Sequence, residues 1–239
     1  MTIHCLEKVP KKFPKIAIGI TTTLLLTGVS AVYQNAHAHH TGKKVAVQTA
    51  MMHDAADASL QKSGAGILTR SPNEVLATIS TSELVEGAYT VWWVIFNRPG
   101  NCSAGIWPDT GAKCGAEDLY DQDVEASVFY ATGFVTTTGK AQFNAHLKSG
   151  SVPSSADIAV GRGGIDGDNG VTPGLRRSNG LNAEIHMVVR SHGAIVPSLV
   201  DEQTGSFNGG CNPASDPPGP NICKAAQEVA FPPARDRSS

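Results

Sequence analysis

The stretch Ala88-Tyr89-Thr90-Val91-Trp92-Trp93-Val94-Ile95-Phe96 constrains this chain more than any other. Both faces of its pleat are apolar, so a strand built from it has to be covered on two sides. A helix fits less well, because the run is short, rich in β-branched and aromatic residues, and bounded by Gly87 and by Asn97-Arg98-Pro99-Gly100. It predicts a central, doubly covered strand with at least one of Trp92 and Trp93 in the core. The other indole is either core as well or set at a cleft or partner surface.

Strand-like material recurs around this centre at residues 75–79, 126–137, 140–147, 183–190, 202–207 and 226–231. The two arms flanking Thr138-Gly139 have the length and turn residues of a hairpin. Between them and the next strand, residues 149–181 are dense in Gly, Ser, Pro and Asp and read as a long loop. With 25 Gly, 14 Pro and 6% aromatic residues, the composition suits a loop-rich β protein. The expectation is a single all-β domain over residues 74–232: an antiparallel β-sandwich by first choice and a closed β-barrel by second. Residues 39–73 are small and polar and read as a flexible leader with one short helix around 50–60, and residues 233–239 as a disordered tail.

Residues 1–38 have the layout of a secretory signal peptide: Lys8, Lys11, Lys12 and Lys15, then an apolar run from Ile16 to about Val32, then small-residue cleavage options after Ala31 or Ala38. That run contains four Thr and two Gly, short of the roughly 20 strongly apolar residues that span a bilayer. The chain is therefore expected to be secreted or periplasmic, with no transmembrane segment after processing. Cutting after Ala38 removes four Lys and Glu7 from 19 basic and 21 acidic residues, leaving 15 and 20, a charge near -5. Such a balance, without a basic stripe, argues against nucleic acid as a partner.

Four cysteines remain: Cys102, Cys114, Cys211 and Cys223, with eleven turn-rich residues inside each neighbouring pair. In an exported chain an even count reads as two disulfides, and local bridges Cys102–Cys114 and Cys211–Cys223 are the simplest of the three connectivities. A zinc site is the rival reading, without a Cys-x-x-Cys pair or a histidine close in sequence to support it.

The segment from Ala183 to Gly193 carries the densest set of reactive side chains. As a strand it turns Ala183, Ile185, Met187 and Val189 to the core and sets Glu184, His186 and Arg190 in a row on the other face. His192 lies just beyond, and His146 lies on another alternating strand. Together these offer the donors of a zinc or copper site, or a proton-moving His–Glu pair; a solvated polar face is the plainer reading. Cleavage after Ala38 would make His39 the first residue, able to chelate copper through its amine and imidazole. Trp107, inside the first cysteine loop, and Arg190 are the candidate ligand contacts. Asp166-Gly167-Asp168-Asn169-Gly170 opens like a calcium loop, yet Arg177 stands where a bidentate glutamate is needed. No nucleophile elbow, zinc helix, phosphate loop or dinucleotide fingerprint is present.

The strings AYTVWWVIFNRP at 88–99, NAEIHMVVRSHG at 182–193 and Phe207-Asn208-Gly209-Gly210-Cys211 resemble a group of exported bacterial β-sandwich proteins of unknown function, over residues 67–232. The segment Ala-Glu-Ile-His followed by His-Gly is also similar to CHRD domains, β domains of secreted proteins in which a histidine-bearing strand precedes a Gly-rich turn. CHRD patterns place His where Glu184 stands. Neither resemblance implies a catalytic residue. The expected function is a non-catalytic binding or surface-associated domain for an unknown ligand or cell-surface component. The alternative is a copper- or zinc-binding protein or metalloenzyme using His186, His192 and His39.

Overall fold

The computed structural model describes residues 44–55, 60–105, 110–153, 158–160, 174–212 and 218–234, with only the backbone of 60–63 and 158–160. The signal segment, His39, Trp107, the Asp166–Gly170 turn and the last five residues lie outside this set. The strands are β1 (Ala46–Asp54), β2 (Leu60–Arg70), β3 (Glu74–Thr81), β4 (Gly87–Phe96), β5 (Ala126–Thr136), β6 (Ala141–Lys148), β7 (Ile158–Val160), β8 (Glu184–Ser191) and β9 (Lys224–Phe231). Among the described residues one short α-helix, α1 (Val200–Gly205), lies between β8 and β9, and two 3-10 turns, Pro99–Asn101 and Glu117–Tyr120, lie between β4 and β5.

All nine strands join one antiparallel sheet in the order β6-β3-β2-β1-β9-β8-β4-β5-β7. The sheet is nearly closed into a barrel, so of the two all-β architectures expected, the hydrogen bonding follows the barrel. Across the seam, Phe134 of β5 stacks on Phe143 of β6 with ring centroids 5.8 Å apart. The Thr138-Gly139 turn is formed, with Gly139 at a φ of 69°. The expected hairpin is not: β5 pairs with β4 and β7, and β6 pairs with β3. Each arm pairs along its length with another strand, β5 with β4 and β6 with β3, and the turn serves as the corner of the seam.

Every residue of β4 is buried. It lies between β5 and β8, and its two faces feed two separate cores. Val91, Trp93 and Ile95 point into the barrel with Met52, Leu68, Ile79, Met187 and Phe231, while Trp92, Val94 and Phe96 point outward against Cys114, Val124, Ala126 and Val128. Both indoles are therefore core, on opposite faces. Each removes roughly 150–250 Å² from water, about 4–6 kcal/mol at 25 cal/mol per Å².

The outer cover has two pieces. One is the segment between β4 and β5, stapled by Cys102–Cys114. The other is α1 with the segment behind it, where Phe207 meets Trp92 edge-on at 4.9 Å and the second bridge, Cys211–Cys223, closes. Both bridges are the local ones expected, and closing loops of this size contributes roughly 3 kcal/mol each in the loop-entropy account.

Ala46–Asp54 and Leu60–Arg70 are sheet strands, where a polar leader with a helix was expected. The usual contrast between faces is blurred in β1: the outward Val47 and Met51 are apolar and 65% and 40% exposed, while Gln48 faces inward beside Ala50 and the buried Met52. In β2, the glycines read as linker answer a packing demand. A Cβ on Gly66 would lie 2.8 Å from both Ile79 Cδ1 and Phe231 Cζ. Residues 202–207, expected as a strand, begin within α1. Gln203 is buried there and donates to the carbonyls of His192 and Ala194, an anchorage that a strand would not supply.

Candidate functional site

β8 alternates as expected: Ile185, Met187 and Val189 are fully buried in the barrel. The opposite face is not solvated. Glu184 and His186 are 0% and 1% exposed beneath the stapled loop. Glu184 Oε1 accepts from the Cys114 amide at 2.8 Å, and Oε2 from the Lys113 amide at 2.9 Å. The same carboxylate lies 2.9 Å from His186 Nε2. On the other side of the ring, His186 Nδ1 is 2.6 Å from Glu228 Oε1 of β9. The edge of Phe96 closes one flank at 5.2 Å between centroids.

Carboxylates accept and do not donate, so both ring nitrogens carry protons and the ring is an imidazolium. Burial alone pushes the His186 pKa down, but hydrogen bonds to Glu184 and Glu228, helped by their charges, overturn that and raise it to about 9. On the barrel side, Arg70 is fully buried and donates from Nη1 to the carbonyl of Ala183 at 3.1 Å and to that of Pro232 at 3.3 Å. Burial lowers its pKa to about 10, against the pull of Glu184. Arg70, Glu184, His186 and Glu228 thus combine two positive and two negative charges, which lets an ionic group this large sit inside the protein.

The other predicted site residues are elsewhere. His192 is buried at the end of β8, with Nδ1 donating to the Gly209 carbonyl at 2.8 Å. Its Nε2 then accepts from Thr90 Oγ1 at 2.8 Å, and Thr90 Oγ1 accepts from Trp92 Nε1 at 2.7 Å. Burial lowers the His192 pKa, partly offset by the Gly209 bond, so the ring is neutral. His146 is exposed on β6 and meets Glu74 at 3.1 Å. Arg190 lies over the Phe207 ring at 4.1 Å and donates to the Phe207 carbonyl. The structure brings Glu184 and His186 together and keeps His192, His146 and Arg190 apart from them.

No protein-family model, curated protein or solved structure matches the chain.

Three acidic residues that sequence reasoning missed organise the loops. Glu228 completes the histidine pair. Asp118 accepts the amides of Ser103, Ala104 and Gly115 at 2.8–3.1 Å, fastening the first cysteine loop. Glu125, at a φ of 54°, bridges Arg98 and Arg176 at 2.8 and 2.9 Å. The signal for Glu228 was available, since it interrupts the apolar strand Ala225-Ala226-Gln227-Glu228-Val229-Ala230-Phe231.

At the end of the barrel near Arg70, a groove of about 890 Å³ runs between the start of β1, the stapled loop and the chain after β9. Val45, Val47, Gln48, Thr110, Leu181 and Pro232 line it. Its walls mix exposed apolar side chains with amide and hydroxyl groups, and its size lies in the range of small-ligand sites.

Proposed function

We propose that this protein is an exported, non-catalytic binding domain whose ligand seat is the groove at the end of the barrel. One observation carries the reading: the described side chains suited to acid–base or metal chemistry on β8 are tied into internal hydrogen bonds, whereas the groove presents chemically mixed walls with exposed apolar side chains. Two disulfides accord with an oxidising destination, and among the described residues no helix is long and apolar enough to cross a membrane. The start of β1 holds one side of the groove, and the loops around it supply the other contacts, the usual division between scaffold and recognition surface.

The test is a fragment and oligosaccharide screen by amide chemical-shift mapping on the processed protein, repeated on Val47→Arg. Val47 is 65% exposed, so its replacement leaves the core intact. Hits should move the Gln48, Gly111 and Leu181 amides and lose affinity at least tenfold in the variant. Hits mapping to another face, or substrate turnover that requires His186, would defeat the proposal.

A further inference from the structure

The second disulfide closes beside a histidine that the binding reading does not use. His192 Nδ1 lies 3.9 Å from Cys211 Sγ and 3.7 Å from Cys223 Sγ. The three atoms fall within 4.8 Å of one another. Metal–sulfur and metal–nitrogen bonds of about 2.0–2.3 Å place the ligand atoms of a trigonal site roughly 3.5–4 Å apart. Both nitrogen–sulfur separations already satisfy that geometry. Only the sulfurs must part, from covalent to nonbonded distance, which rotation about their Cα–Cβ bonds supplies.

We propose that reduction of Cys211–Cys223 creates, with His192, a three-coordinate site for a soft monovalent cation, Cu(I). A dithiol or phosphine reductant gives two electrons to the disulfide and is itself oxidised, leaving two thiols. Cu(I) then displaces one proton from each sulfur without changing its own oxidation state. The imidazole contributes Nδ1 after its proton moves to Nε2, where Thr90 Oγ1 has a second lone pair to accept it.

The donor set selects the metal. Two thiolates and one imidazole, with no fourth His, Cys, Asp or Glu in the group among the described residues, suit trigonal Cu(I) and fall short of the four ligands of structural zinc. Burial keeps His192 neutral, the form that coordinates. Cys223 is half-buried beside the exposed Ile222, which gives reductant and metal an approach. The other bridge provides a contrast: Cys102 and Cys114 lie near Asp118, but that carboxylate already holds three backbone amides. The inference is independent of the groove, since the disulfide lies outside it.

The experiment titrates the full chain, as purified and after anaerobic reduction with a phosphine, with Cu(I) against bicinchoninate. The reduced protein should take one Cu(I) per chain and show thiolate-to-copper ultraviolet absorption, and the oxidised protein none. Cys223→Ser should abolish binding, while the Cys102→Ser/Cys114→Ser double variant should keep it. X-ray absorption of the wild-type complex should show two sulfurs and one nitrogen, which tests His192 without replacing it. Equal binding by oxidised and reduced protein, retention by Cys223→Ser, sulfur-only coordination, or loss of the β circular dichroism on reduction would each overturn the proposal.

Discussion

His186 Nδ1 and Glu228 Oε1 are 2.6 Å apart, across neighbouring strands and almost shielded from water. With Glu184 on the other nitrogen, the pair makes the cover of the barrel depend on pH. The folded pKa of His186, about 9, lies above the unfolded value near 6.5. Its stabilisation is therefore fully present below about pH 6.5 and is lost as pH rises through 9. The shift corresponds to roughly 3 kcal/mol. Urea unfolding from pH 6 to 10 should show this decline, and His186→Leu should flatten it while destabilising the protein by about 3–5 kcal/mol at neutral pH. A wild-type profile level across that interval would contradict the assignment.

Glu184 fastens the stapled loop to β8 through the amides of Lys113 and Cys114. Glu184→Gln keeps the shape but removes the charge, and should cost about 1–3 kcal/mol. Hydrogen exchange gives the specific reading: the Lys113 and Cys114 amides should lose protection while β4 keeps its own.

Thr90 links Trp92 to His192 within the outer core. Thr90→Val preserves the volume and leaves an indole N–H and an imidazole nitrogen without that partner, for an expected loss of about 1–3 kcal/mol by thermal or chemical unfolding. A neutral outcome would mean that the chain of donors is not formed.

Gly133 of β5 is the contact point for α1. A Cβ there would lie 1.8 Å from the Thr204 carbonyl oxygen, a backbone atom that can yield only if the helix moves. Gly133→Ala should cost about 1–3 kcal/mol and shift Trp92 emission to the red as Phe207 lifts away. Unchanged fluorescence and stability would show that the helix is not seated there.

The parts of this fold legible in sequence were those whose signal is local. Residues 88–96 announced a doubly covered strand because the run is short, apolar on both faces, rich in β-branched and aromatic residues and bounded by Gly87 and Pro99, and the local bridges followed from short cysteine spacing. β1 and β2 stayed hidden because Val47, Met51 and Ile67 put apolar side chains on their outward face, and because Gly66 is there for crowding, which appears only once Ile79 and Phe231 converge on it. The site divided in the same way. Glu184 and His186 were readable as neighbours on one face of a strand. Glu228 is distant in sequence and meets His186 only through the β8–β9 register, and the burial of that face depends on a loop folding back over it.

The central claim is that the histidine of β8 holds structure together and leaves binding to the barrel end. Nitrogen-detected NMR of the His186 ring at pH 7.5, with and without excess zinc or copper, tests it most directly. The account predicts protons on both Nδ1 and Nε2 and no change on adding metal; a neutral ring, or signals displaced by the metal, would contradict it.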